Sequence, residues 1–214
     1  MTRILLARHG ETDWNREGRW QGHSDQPLNA TGRAQAEALA RRLRGERVSA
    51  LYTSDLLRAS QTAEAVGRAT GLEPIPTPGL REVDVGELAG LDRAEAGRRH
   101  PDWYTRWREG TDEAYPGGER FSDLRDRALA SLDRIADRHA GETAVAVCHN
   151  GIVRAVVLHV LGMDPRERRR VAPGPNCSLT IVERQRRRLV LVALNDSGHL
   201  NGVGEIRLPR RGGR

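Results

Sequence analysis

The chain has 214 residues, 37% of them hydrophobic and 30% charged, a balance that suits a globular protein with a sizeable core and excludes a disordered one. Its net charge of +6 is carried by arginine alone, because the sequence contains no lysine. That removes a P-loop lysine, a lysine Schiff base and a pyridoxal anchor, and leaves arginine, the better bidentate partner for phosphate oxygens, to hold any anion.

No apolar run approaches the roughly 20 residues of a membrane span, and the opening "MTRILLARHGE" meets an arginine and a glutamate too early for a signal peptide. A cytoplasmic protein without membrane association is expected. Cys148 and Cys177 form no CxxC pair, which fits a reducing interior. The seven histidines include no HxH and no HExxH, so neither a metal nor a cofactor is expected. From residue 151 onward there are 13 arginines against 5 acidic residues, concentrated in "RERRR", "RQRRR" and "RLPRRGGR". Most Trp and Tyr residues that could stack on bases lie outside these clusters, so they read as a solvated face and a frayed tail rather than a nucleic-acid surface. A homodimer stays open beside a monomer.

In chain order, "RILLA" (3–7) reads as a strand that delivers Arg8 and His9 at its end. "TGRAQAEALARRLRG" (31–45) follows as a helix with Thr31 as N-cap and Gly45 as stop. "VSALYT" (48–53) is a strand leading into the helix "SDLLRASQTAEAVGRATG" (54–71), capped by Ser54 and ended by Gly71. The stretch from about 92 to 120 is polar, rich in Arg and Trp and broken by Pro101 and Pro116. Such long excursions are often lids, although two surface helices with Trp103 and Trp107 packed on the core fit equally well. "TAVAVCH" (143–149) then leads into the helix "NGIVRAVVLHVLG" (150–162), and "CSLTIVE" and "RLVLVAL" read as a hairpin at a sheet edge. This order predicts an α/β fold: a single three-layer αβα domain over 1–208, with a mostly parallel sheet, an antiparallel edge and a helical lid insertion. Residues 209–214 form a basic tail, expected to be disordered.

Three strand ends thus present Arg8 and His9, then Ser54 with Arg58 one turn on, then His149. In open α/β sheets ligands bind beyond such ends, where helix N-termini present unpaired amides to anions. Taken singly, each of these residues is more often an ordinary polar group than a catalyst. Together they aim at one crevice.

Four blocks, "LARHGETDWN", "TSDLLRASQTA", "REVDVGELAG" and "VCHNGIVRA", occur in the order and approximate spacing that resembles the histidine phosphatase superfamily, the group that includes cofactor-dependent phosphoglycerate mutases. The resemblance implies His9 as the nucleophile that becomes phosphohistidine. It implies Arg8, Asn15, Arg58 and His149 as holders of the phosphoryl oxygens, and Glu82 as proton donor and acceptor. Gln21 and Gly22, in "WQGHSDQPL", match the family's further phosphate-loop contacts. The chemistry agrees: phosphoryl transfer needs an in-line nucleophile and positive donors around three equatorial oxygens, which two arginines and a second histidine supply without metal.

Two departures stand out. Where the family commonly has "SHGG" this chain has "CHNG", which puts Asn150 beside the phosphate pocket, and "GGES" near the lid is "GGER", with Arg120 expected to alter how the lid reads the substrate. A competing pattern also overlaps the last block, since "CHNGIVR" has the C-x-x-G-x-x-R spacing of cysteine-dependent tyrosine phosphatases. Neighbouring strand residues face opposite ways, so a His149 turned toward the crevice predicts a Cys148 turned away.

The region that is long and basic in the mutase branch is short here, with only Arg98, Arg99, Arg106, Arg108 and Arg120 available. Hydrolysis of a small phosphorylated substrate is therefore expected, with Trp103, Tyr104, Trp107 and Tyr115 as lid walls. Phosphoglycerate mutase activity is the alternative, and a non-catalytic binder of phosphate ligands is the alternative of another class.

Overall fold

The structure is a computed structural model and describes residues 1–186 and 188–203. The expected tail at 209–214, with residues 204–208 of the expected domain, lies outside the described residues.

Strand β1 (Thr2–Arg8) lies inside a six-stranded sheet with β2 (Ala50–Thr53), β3 (Pro74–Pro76), β4 (Thr143–Cys148), β5 (Leu179–Gln185) and β6 (Arg188–Asp196), in the order β3-β2-β4-β1-β5-β6. The first four run parallel, while β5 is antiparallel to both β1 and β6, as the hairpin pattern predicted. The run "ILLA" is apolar throughout because β1 is covered on both faces. Leu5 and Ala7, with Val145 and Val147 of β4, pack toward helices α2 (Ala30–Leu43) and α3 (Leu57–Thr70), numbered after the short α1 (Asp13–Glu17). Ile4, Leu6, Ala144 and Ala146 pack toward the opposite layer. Each buried leucine or isoleucine contributes about 1.5–3 kcal/mol, which makes this three-layer arrangement the favourable one.

The opposite layer contains α6 (Phe121–Arg138) and α7 (Asn150–Val160), with the lid helices α4 (Arg93–Arg99) and α5 (Pro101–Glu109) beside it. In α6, Leu124, Ala128, Leu132 and Ile135 recur at helical spacing and are buried, which turns one stripe to the sheet. The short edge strand β3 begins and ends in proline, residues that suit an edge. Among the described residues no helix is long and apolar enough to cross a membrane.

Two helix starts differ from expectation. Helix α2 begins two residues earlier, capped by Asn29, whose side chain accepts from Gly32 N at 2.8 Å, rather than by Thr31. Helix α3 begins at Leu57 and has no cap from its own N-cap residue. The Leu57 amide donates to Asp25 Oδ1 at 3.0 Å, so a distant loop supplies the acceptor. Ser54 Oγ accepts from the Leu56 amide, at 3.3 Å, just before the helix, and lies 2.8 Å from His149 Nε2.

The excursion at 92–120 packs its aromatic residues on the core. Trp103 and Tyr115 are buried within the main hydrophobic cluster, and Trp107 packs partly buried against it. The return loop is tied down by Glu87 N donating to Pro116 O at 2.8 Å and Glu119 N donating to Asp84 O at 3.1 Å.

Candidate active site

Parallel register brings the three predicted strand ends together. Arg8 lies opposite Cys148, and Thr53 opposite Val147. One residue further on, His9 N donates to Cys148 O and Ser54 N donates to Val147 O, both at 2.9 Å. A cavity of about 270 Å³ opens at this end of the sheet.

Of the predicted residues, Arg8, His9, Asn15, Gln21, Gly22, Arg58 and Glu82 all line that cavity. His149 does not line it but stands behind His9, with ring centroids 5.1 Å apart. His9 Nδ1 lies 2.7 Å from Gly10 O. A carbonyl can only accept, so Nδ1 carries the proton and Nε2 holds the lone pair in the neutral ring. Burial, then the Arg58 and Arg8 guanidinia, hold His9 well below the usual imidazole range. The same causes act on His149, with burial first, then Arg58 and His9. His149 Nε2 meets Ser54 Oγ, while its Nδ1 is buried without a partner.

Arg58 is fully buried, an expensive placement for a charge that the loop at 22–24 offsets: its terminal nitrogens donate to Gly22 O and Ser24 O, each at 2.8 Å. Gly22 has φ +50°, and a Cβ there would overlap the Val85 side chain and backbone, so glycine alone lets the carbonyl reach Arg58. Arg8 donates to Gly174 O. Burial lowers both guanidinia to about 10, which leaves them charged at neutral pH. Asn15 Oδ1 accepts from Thr12 N at 3.1 Å and from Asn176 Nδ2 at 3.3 Å, and Gln21 Oε1 accepts from Thr12 Oγ1 at 3.1 Å.

Glu82 lies in the loop before α4 and is held from both ends. Its carboxylate oxygens accept from Gly151 N, at the start of α7, at 3.1 Å. Its backbone oxygen accepts from Arg127 at 2.7 Å and lies 2.9 Å from His23 Nε2. Arg127 in turn pairs with Glu119, the acid of "GGER". The site therefore holds a neutral imidazole with one lone pair, two charged guanidinia and a carboxyl group around one cavity. That set can accept a phosphoryl group and move a proton.

The lid reading needs correction in detail. Trp107 and Tyr115 line the cavity, but Trp103 and Tyr104 do not, since Trp103 donates its indole N–H to Ala114 O within the lid. Arg98, Arg99, Arg106, Arg108 and Arg120 are all exposed and line nothing there, because they occupy the outward faces of α4 and α5 or, for Arg120, the exposed turn before α6. Within the excursion one arginine, Arg93 at the start of α4, lines the cavity, and besides Arg8 and Arg58 the other lining arginines come from elsewhere: Arg19, Arg154, and Arg168 and Arg169 of the "RERRR" cluster. That cluster is thus not simply a solvated face. Trp20, Phe121 and Pro173 complete the walls, and Asn150 joins them as expected. The one sequence signal for Arg168 and Arg169 was an unusual density of arginine just before the "APGPN" loop that returns to β1.

Cys148 is fully buried and packs in the α6/α7 layer, turned away from the cavity. Burial pushes its thiol up, opposite to what a thiolate nucleophile requires. The tyrosine-phosphatase spacing is therefore coincidental.

Comparison with known proteins places the chain in a family. A metal-independent phosphoserine phosphatase of Arabidopsis thaliana is 36% identical over 95% of this chain and 85% of its own. A phosphoglycerate mutase-like protein of the same plant is 42% identical over 72% of this chain and 68% of its own. The solved structure of a mycobacterial glucosyl-3-phosphoglycerate phosphatase with VO3 superposes with a TM-score of 0.83 at 30% identity, covering 91% of this chain and 99% of that one. The family pattern described as "Histidine phosphatase superfamily (branch 1)" matches residues 4–197, and the chain belongs to that superfamily.

Proposed function

We propose that the chain is a metal-independent phosphomonoesterase that hydrolyses a small phosphorylated metabolite through phosphohistidine at His9. The observation that carries this reading is the His9 Nδ1 contact with Gly10 O, which leaves the Nε2 lone pair in a cavity walled by Arg8, Arg58 and Glu82. Nε2 attacks phosphorus as the ester P–O bond breaks, and Glu82, in its acid form, gives its proton to the departing alkoxide. Water then attacks the phosphohistidine and passes a proton to the Glu82 carboxylate. This releases phosphate and restores both groups. Arg8 and Arg58 balance the charge on the equatorial oxygens, with Asn15, Gln21 and Gly22 completing the pocket and His149 standing behind His9.

Phosphatase relatives that act on compact phosphorylated metabolites, and a cavity at the small end of ligand sites, support a small substrate. We read residues 1–208 as one domain with 92–120 as its lid, supported by the lid's burial in the main core. The two free, buried cysteines support a reducing compartment, the cytoplasm.

The test is a panel of phosphomonoesters assayed with a chelator present. His9→Ala should lose at least about 10⁴ in kcat, and Cys148→Ser should keep turnover. Acid-labile phosphate should label the wild type but not His9→Ala. Turnover by His9→Ala that Cys148→Ser abolishes, or a strict need for a divalent ion, would overturn the mechanism. Exclusive interconversion of 3- and 2-phosphoglycerate would make the chain a mutase, and no label with no turnover would make it a binder.

A further inference from the structure

Seven arginines line the cavity against one carboxylate, Glu82. Arg19 is paired with Glu17 and Glu95, but among the described residues none of the other six has a carboxylate within ion-pair distance. A phosphomonoester dianion offsets two of those six charges, and Glu82, when ionised, a third. The rest fall to Arg93 and to Arg154, Arg168 and Arg169, cavity-lining arginines whose charges bear on one another. Uncompensated guanidinia sharing a partly dry wall are costly: burial is the main cause that lowers both Arg154 and Arg169, and Arg168 repels each of them, while Tyr115 and Glu82 act on Arg154 in the opposite sense. The cost falls when an anion enters.

Each of these side chains is held in place by neutral acceptors, which position a charge without cancelling it. Arg154 donates only through Nε, to Val171 O at 3.0 Å, and its two terminal nitrogens carry no hydrogen bond to the described residues. Arg168, 5% exposed, donates to Gly110 O at 3.2 Å and lies over the Phe121 ring. Arg169 donates to Arg108 O at 2.6 Å, and its guanidinium stacks 4.2 Å from the Trp107 ring centroid. The free edge of Arg154 is a planar fork of the shape that matches a carboxylate.

We propose that Arg154, Arg168 and Arg169 form a second anion subsite, which selects phosphomonoesters carrying a carboxylate on the alcohol portion. This rests on the phosphomonoesterase reading above and names the substrate class within it. The cavity of about 270 Å³ suits a substrate whose carboxylate and phosphate share one short carbon chain.

O-phosphoserine and O-phosphoethanolamine differ only by a carboxylate, so the ratio of their kcat/KM values reads the subsite directly. In the wild type the ratio should exceed about tenfold in favour of phosphoserine, and Arg154→Met and Arg169→Met should each lower it about 10- to 100-fold, the span of one charged hydrogen bond. Arginines that only staple the lid would, on removal, slow both substrates and leave the ratio unchanged. An unchanged ratio in both variants, or a wild-type ratio near one, overturns the subsite while turnover continues. No turnover of either ester, with no acid-labile label at His9 from any phosphomonoester, instead overturns the phosphatase reading together with the subsite.

Discussion

Lowering the pH from 6.5 to 5.5 should cost the folded chain about 2 kcal/mol through two histidines alone. His9 is 3% exposed and His149 fully buried, and burial with the neighbouring guanidinia holds both well below the ordinary imidazole value of about 6.5. Below that value the unfolded chain takes up a proton at each ring and the folded chain does not. Stability is therefore fully present above about pH 7 and falls as the pH drops. Across this first unit each histidine contributes about 1 kcal/mol, because it is already half protonated in the unfolded chain at the start, and the slope then approaches about 1.4 kcal/mol per unit. His199, half-buried and shifted the same way, adds a smaller share. The lowered carboxylates Asp55, Asp164, Glu142 and Glu167 titrate below this window, at pH values under about 4.5, so they do not blur it. Urea unfolding followed by tryptophan fluorescence, in buffers free of phosphate, measures the effect. With a slope of about 2 kcal/mol per molar urea, the midpoint should fall by about 1 M between pH 6.5 and 5.5, and by about half as much in His9→Asn. Coincident midpoints at the two pH values, or a full shift retained in His9→Asn, would refute the assignment of neutral buried rings.

Two further outcomes follow from the placement of Glu82. In Gly151→Ala the new Cβ would overlap Glu82 Oε1 and crowd Leu124, so the carboxyl must move. A misplaced proton donor should lower kcat about 10²-fold, and an activity within threefold of wild type would count against Glu82 as the donor. Glu82→Gln should slow alkyl phosphates by about 10² to 10⁴ and p-nitrophenyl phosphate far less, because nitrophenolate leaves without a proton; equal losses on both would remove the proton-transfer role.

The comparison of residues with structure divides along physical lines. The strand that ends in Arg8 and His9, the one before Ser54 and the one before His149 are each marked by a local apolar run, and the period of that run depends only on the chain's immediate neighbours. Parallel register did the rest, since strands of one sheet bring their ends to one crevice whatever lies between them. Local pattern failed where the partner came from afar. Ser54 had every property of a cap, yet Asp25 accepts from the first helical amide of α3, and Ser54, bonded to Leu56 N before the helix, also reaches His149. The lid arginines were near the site in sequence but sit on outward helix faces, while Arg168 and Arg169, some 160 residues from His9, fold back to stack on Phe121 and Trp107.

From the sequence alone follow the α/β class, the absence of lysine chemistry and the membership implied by four ordered blocks, because these reside in residue identity and short-range spacing. The tertiary structure decided the tautomer of His9, the burial of Cys148 and which arginines face the cavity. Those depend on where a side chain's hydrogen bonds and charges find partners, and the partners belong to elements that only the closed three-layer fold makes neighbours.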